Sequence, residues 1–505
     1  MKIPKEKLPN CHIQYPEDAE YIIEEIPARA LLSAHRMDFY AKLLYIDHFV
    51  KDLDMSYARQ VYLAQVRAVT GNTNSEKGNP QKDTGEKFIT VFNKLIEDIS
   101  KNGFDSNISL IPVDADGYVV DGAHRVSIAA YFNKTVTIIR FKEWRTGYSM
   151  NWEWLEKQLL PSRFMDAIAL ECCNWHDNLY MACLWPQSFV LTQEREKAFE
   201  FMKSKTTFFY RKKISLNRIG LRNFLMQIYG HMDWIGDVNN HYAGVIAKLK
   251  EVEYKGFDNV EFCLLQADSF DTVFNMKKEV RDIFNIGLSS IHITDNIRET
   301  KQIADLIFNP NSFHHLTHSY PDKFLGSYKL MLDFKKIISD NNLNWRNYVL
   351  DSSMVMAIYG IREAGDLDYL TTDKNQDIVS LKSYTPGLME PNDKYLDYHS
   401  LSVKDMVCNP ANYFIFNEIK FLTLKEIKYF KTKKGEIKDK NDVKLISAYV
   451  ENDFVNHIKM FYLNFKHNYL IYKQKLFQKL VFVIVRCLKT IGLFNFCKKI
   501  YKMIR

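Results

Sequence analysis

Apolar residues recur every three or four positions through ARALLSAHRMDFYAKLLYIDHFVKDLDMSYARQVYLAQVRAV (28–69), a period that predicts two amphipathic helices. Residues 1–25 lack that period and read as an extended lead-in. The polar GNTNSEKGNPQKDTGEK (71–87) predicts a loop longer than a simple connection, and FITVFNKLIEDIS (88–100) a third amphipathic helix. The pattern then changes. In SLIPVDADGYVVDGAHRVSIAAYFNKTVTIIRF (109–141), β-branched runs and turn residues predict a strand, a tight turn at Asp116-Gly117, a second strand, a helix and a third strand. From about 160 to 330, helical patterns alternate with short strands such as FFYRKKISL, VEFCLLQ and SSIHITD, the last leading into a helix that begins near Asn296. A further strand, turn, helix and strand are predicted in NYVLDSSMVMAIYGIREAGDLDYLTTD (347–373).

The chain of 505 residues is about three times a domain of roughly 150. The patterns divide it into an α/β unit at 1–150, a mixed middle unit at 151–340, a second compact α/β unit at 341–453 and a basic helical tail at 454–505. The expected fold class is a multidomain mixture of α/β and α+β. Hydrophobic residues at 47% and charged residues at 26% exclude wholesale disorder.

Net charge is +7, but the distribution overturns the first impression. After Asp453 there are eleven Lys or Arg and no Asp or Glu, so the first 453 residues carry 57 basic against 61 acidic groups, a net of −4. The basic character belongs to the tail, and no specific nucleic-acid partner is expected for the body. Eight cysteines without a CxxC pair, and a polar start in MKIPKEKLPN, fit a reducing cytoplasm. The longest fully apolar run in the tail, Leu480–Val485, is far short of the roughly 18 residues that span a bilayer.

VLDSSMVMAIYGIREAGDLDYL carries the most chemistry. Asp366 and Asp368, two apart on a strand, point to one face, opposite a small-residue turn at Asp351-Ser352-Ser353. Two carboxylates so placed can hold Mg²⁺ or Mn²⁺ beside a triphosphate, whereas a lone Asp-x-Asp is more often a solvated strand end. The stretch resembles the nucleotidyltransferase superfamily (the polymerase-β-like fold), with Ser352-Ser353 where Gly-Ser usually stands. Gly360-Ile361-Arg362 adds to the resemblance, and the later KTKKGEIKDKNDVKLI, with Lys438, Asp439 and Asp442, looks like its closing Lys/Arg-rich helix and Lys-Asp-x-x-Asp pattern. The resemblance covers about 347–450. It implies Asp366 and Asp368 as catalytic metal ligands, Ser352, Ser353 and Lys438 at the phosphates, and a third carboxylate on a later strand. Asp397 is the first choice for that carboxylate, with Asp393 and Glu418 as alternatives.

A second candidate is the turn Asp121-Gly122-Ala123-His124-Arg125, set between a strand and a helix. A guanidinium, an imidazole and free backbone N–H groups can grip phosphate, although a turn-capping Arg and a buried His are the plainer reading. IPVDADGYVVDGAHRVSIAAYF resembles the ParB/sulfiredoxin-like fold, which implies nucleotide phosphates at Gly122, His124 and Arg125 and, in some members, small-molecule kinase activity. Upstream, Arg29, His35, Arg36, Asp38 and Lys42 are available as acid or base groups.

In the middle unit, His292 and Thr294 share a strand face, with Thr294 or Asp295 placed to cap the following helix and Lys277, Lys278 and Arg281 nearby; capping is favoured over a polar pocket. His314-His315 has no metal-ligand spacing to a partner. The tail interleaves Lys and Arg with Leu, Phe, Ile and Tyr over 468–505, as an interfacial helix on an anionic membrane does; a helix docked on the protein is the alternative.

The order of units resembles uncharacterised bacterial proteins from surface-polysaccharide (capsule or O-antigen) loci. The expectation is therefore a cytoplasmic enzyme, peripheral on the inner face of the plasma membrane. It would use an NTP with Mg²⁺ or Mn²⁺ to transfer a nucleotidyl or phosphoryl group to a small or sugar-phosphate acceptor. A kinase centred on His124-Arg125 and a non-catalytic nucleotide-sensing scaffold are the alternatives.

Overall fold

The computed structural model describes residues 4–9, 14–71, 73–76, 79–256, 258–373 and 388–450, with part of 462–494. It contains three sheets, each drawing its strands from one of the three sequence units.

The first sheet has the order β1-β3-β2, formed by Tyr21–Pro27 (β1), Ile111–Val113 (β2) and Thr135–Phe141 (β3). β2 runs parallel to β3 through the crossover helix α4 defined below, while β1 lies antiparallel on the other side of β3. β1 falls in the lead-in read from sequence as merely extended. The second predicted strand shrinks to a single bridge, Val113 to Val119. Asp114 explains why: its buried carboxylate accepts the N–H groups of Asp116 and Tyr118 at 3.1 and 2.9 Å and of Thr146 at 3.1 Å, so local turn bonds replace a ladder.

Of the helices α1 (Asp38–Lys51), α2 (Met55–Val69), α3 (Gly85–Asn102) and α4 (Ala123–Tyr131), α4 packs on β3, α1 and α3 pack against α4, and α2 against α1. α3 shows the logic of its sequence: Thr84 caps it by accepting the Lys87 N–H, Gly103 at φ 83° ends it, and Phe88, Phe92, Ile96 and Ile99 form its buried stripe. Each such side chain, fully buried, contributes about 1.5–3 kcal/mol.

The second sheet, β5-β6-β4-β7, is antiparallel throughout and consists of Leu179–Leu184 (β4), Thr207–Ser215 (β5), Asn259–Gln266 (β6) and Ile291–Ile293 (β7). Every residue of β4 is buried, so LYMACL has no polar alternation to announce it. The cap after β7 is neither Thr294 nor Asp295 but Asn296, which accepts the Glu299 N–H at 3.0 Å. Thr294 instead ties Met181 N–H at 2.8 Å to the Thr300 hydroxyl at 2.8 Å.

The third sheet is mixed, in the order β10-β9-β8-β12-β11, from Tyr348–Asp351 (β8), Leu367–Thr371 (β9), Met389–Pro391 (β10), Tyr413–Phe416 (β11) and Ile419–Leu422 (β12). β8 is antiparallel to β9 and parallel to β12. One apolar core runs without interruption from Ala28 to Ile446, joining the first and third sheets through one face of the second. The other face of the second sheet forms a separate core with the helices Thr192–Lys205 and Phe270–Phe284. Polar ties also cross the units: the Asp54 N–H donates to Asp405 Oδ1 at 2.6 Å, and Arg346 donates to Asp305 at 3.0 Å. The cysteines of the described residues are free thiols. No helix among the described residues is long and apolar enough to cross a membrane.

Gly122, at φ 94°, supplies the left-handed turn into α4, where an added Cβ would sit 2.5 Å from Ile111 Cδ1 and 2.9 Å from Arg125 Nη2. Gly122→Ala is expected to lower the unfolding free energy by about 1–3 kcal/mol in urea denaturation; an unchanged midpoint would show that the turn relaxes without cost.

Candidate functional site

The register of β8 on β9 pairs Asp351 with Asp368, so the two carboxylates share one face at the open end of the ladder. Asp366 lies two residues earlier, just before β9 begins, and is exposed, while Asp368 is partly buried. Ser352 opens the short helix Ser352–Ile358 with φ 55°, a left-handed conformation that favours glycine. Ser353 Oγ donates to Asp366 Oδ1 at 3.1 Å, and the Ser352 hydroxyl accepts Asn392 Nδ2 at 3.4 Å.

Behind this pair lies a buried network that the sequence did not announce. Asp351 Oδ1 accepts the Ser352 N–H at 2.6 Å, and its Oδ2 accepts Asn392 Nδ2 at 2.6 Å and faces His399 Nε2 at 3.1 Å. His399 Nδ1 in turn faces Glu426 Oε1 at 3.1 Å. Burial alone would lower the His399 pKa, but hydrogen bonds to Asp351 and Glu426 outweigh it and push it up to about 9. The ring is an imidazolium held between two carboxylates. A second network closes the flank: Arg362 makes a two-point contact with Asp442 at 2.6 and 2.8 Å, and Lys431 reaches Asp442 at 2.8 Å and Asp439 at 3.1 Å.

These contacts leave an imbalance. Asp351, Glu426, Asp439 and Asp442 each touch a cationic side chain, whereas Asp366 and Asp368 form no ion pair among the described residues. Burial, then Asp366 and Asp351, push the Asp368 carboxyl up to about 7. Lys438 lies close enough for Glu436, Asp439 and Asp366 to raise its pKa against the effect of burial, and its nearest ion pair is with Glu436 at 3.5 Å.

The first choice for a third carboxylate does not lie on the later strand expected for it. Asp397 and Asp393 sit exposed on a 3-10 helix, Asp393–Tyr398, not on a strand. Glu418 is bound by Arg298 and Lys335 at 3.0 and 3.1 Å. The strand register instead places Glu390 of β10 alongside Asp368, exposed and 3.4 Å from Lys394. No three His, Cys, Asp or Glu side chains among the described residues are grouped to hold a metal ion. An all-oxygen pair suits Mg²⁺ or Mn²⁺, which commonly take one or two protein carboxylates and complete their shell with water and phosphate oxygens.

The second candidate is packed more tightly. The Tyr62 hydroxyl lies 2.8 Å from His124 Nε2, and the ring stands edge-on to Phe92; burial, then Lys42 and Lys82, push the His124 pKa well down, so it is neutral. Arg125 donates to the Ser109 hydroxyl, and the Gly122 N–H donates to Asp121 Oδ1 at 2.7 Å. Upstream, Arg36 and Lys42 converge on one buried carboxylate, Asp38, at 2.8 and 2.9 Å. In the middle unit His292, pushed down to about 3 by burial and then by Lys277 and Arg281, meets the Tyr229 hydroxyl at 3.2 Å. Buried His315 bonds the Ile358 carbonyl at 3.2 Å and is packed, not ligating.

Comparison of the chain with protein-family models, curated proteins and solved structures returns no match.

The His399 pKa rises on folding from the ordinary 6.5 to about 9, so the stability it contributes is complete below about pH 6.5 and is lost as pH climbs through 9. His399→Gln is expected to cost about 3–5 kcal/mol at pH 6, because two buried carboxylates lose their counter-charge, and to flatten the decline in stability between pH 6.5 and 9. Denaturation across that range measures both; an unchanged decline would remove the imidazolium from the account.

Proposed function

We propose that the third unit is a divalent-metal-dependent transferase that moves a nucleotidyl or phosphoryl group from an NTP to a small or sugar-phosphate acceptor. The supporting observation is the pair Asp366 and Asp368, the two carboxylates of a heavily charged cluster that lack a cationic partner among the described residues. A divalent ion bound there would neutralise charge that develops on a transferring phosphate. Ser353 orients Asp366 from the turn, His399 holds Asp351 behind the pair, and Lys438 adds positive charge beside Asp366. The left-handed Ser352 fits the nucleotidyltransferase resemblance. A role in surface-polysaccharide synthesis rests on the resemblance to proteins of those loci.

Asp366→Asn and Asp368→Asn are each expected to reduce Mg²⁺-dependent NTP turnover by roughly a thousandfold or more while the fold persists. Mg²⁺ should also raise the melting temperature of the unaltered protein at pH 8, where Asp368 is ionised, and that rise should vanish in either variant. Full turnover and an unchanged Mg²⁺ shift in both variants would make the pair structural. Released pyrophosphate identifies nucleotidyl transfer and released NDP phosphoryl transfer.

One observation favours a second reading. Arg36 and Lys42 share the single carboxylate of Asp38 close to His124, which places cationic groups beside the Gly122-His124-Arg125 turn, as phosphate binding requires. NDP release that survives Asp368→Asn and is lost in Arg125→Ala would assign the chemistry to this kinase-like site.

A further inference from the structure

The described part of the tail contains helical residues whose large apolar side chains are largely exposed. Tyr462, Phe465, Tyr469, Leu476, Leu480 and Val483 recur at intervals of three, four or seven and are each between 54% and 68% exposed. That spacing sets them along one side of a helix. Lys473 falls on the same stripe, also exposed. Further along, Ile491 and Leu493 are exposed, and Lys489 lies over the Phe494 ring, 5.3 Å from its centroid. Apolar side chains left open in this number mark a surface that another phase or molecule covers.

We propose that this stripe lies in the interface of an anionic membrane, with the helix parallel to the surface. Charge decides between occupants. Residues 454–505 carry eleven Lys or Arg and no acid, so a second copy of the tail would bring like charge against like charge, whereas an anionic lipid surface supplies the missing counter-charge. A nucleic acid would satisfy the charge and leave the apolar stripe in water. Lipid satisfies both at once, with the aromatic residues at headgroup depth and the Lys stems reaching outward. No helix of the described residues spans a bilayer, so the association is peripheral.

The test uses the full chain with vesicles of phosphatidylcholine alone and of an equimolar mixture with phosphatidylglycerol. Binding is expected only to the anionic vesicles, with release as salt is raised. Leu476→Glu with Leu480→Glu should weaken partitioning by at least ~10-fold, and Lys473→Gln with Lys489→Gln by a smaller factor that salt abolishes. Unchanged circular dichroism and NTP turnover in solution establish that the variants fold. Absence of binding, or equal binding to both vesicle types, overturns the proposal. So does vesicle binding unaffected by the Leu variant. A dimer in light scattering that the Leu variant dissolves, without vesicle binding, would assign the stripe to a second copy; retention on RNA, again without vesicle binding, would assign the tail to nucleic acid.

Discussion

A carboxylate withdrawn from water must find a cation or hydrogen-bond donors, and the third sheet is organised around meeting that requirement. Asp351 ends β8 in full burial, where it is held by its own backbone, by Asn392 and by the protonated His399. Because His399 also grips Glu426 on the helix Leu424–Lys434, one ring fixes that helix to the end of the strand. Arg362, Asp442, Lys431 and Asp439 do the same for the helix Ile437–Val450. Removing His399 would leave two buried carboxylates, Asp351 and Glu426, without their shared counter-charge. At the open end of the ladder Asp366 and Asp368 keep their mutual repulsion, because among the described residues no cation forms an ion pair with either.

The parts of this arrangement that depend on local pattern were legible in the sequence. The Ser352-Ser353 turn, the strand carrying Asp368, and the helix after Gly122 follow from spacing and turn chemistry alone. β4 was not legible because it is buried on both faces, so it shows an apolar run without alternation, which a buried helix also shows. β1 was missed because it is an exposed edge strand with few buried positions. His399 stood in YLDYHSLSV with no motif around it; its partners lie 48 residues before and 27 after, a separation that only the fold closes. Asp397 was misplaced for the opposite reason. Its flanking Tyr and Leu residues suggested a strand, yet Asn392 is drawn to Asp351 and the chain turns into a 3-10 helix instead.

The tail and the body differ in how they treat apolar surface. The body covers its apolar side chains with a core that passes through all three sheets, whereas the described residues beyond 461 leave theirs open. Charge follows the same division, net negative before the tail and wholly positive within it. One chain thus carries two physical characters, a body with a closed core and a basic tail with open apolar side chains.

The unbroken core also bears on inheritance. α1 packs against the helix Ser162–Cys172, which belongs in sequence to the next unit, and Asp54 is bonded to Asp405, 351 positions away. A segment cut at the boundary near residue 150 would present a raw apolar surface instead of a finished exterior. Units joined in this way cannot be exchanged among proteins as interchangeable modules. A substitution on one side of such a seam is tolerated or rejected according to its neighbour across it, so the three sheets are bound to evolve as one lineage.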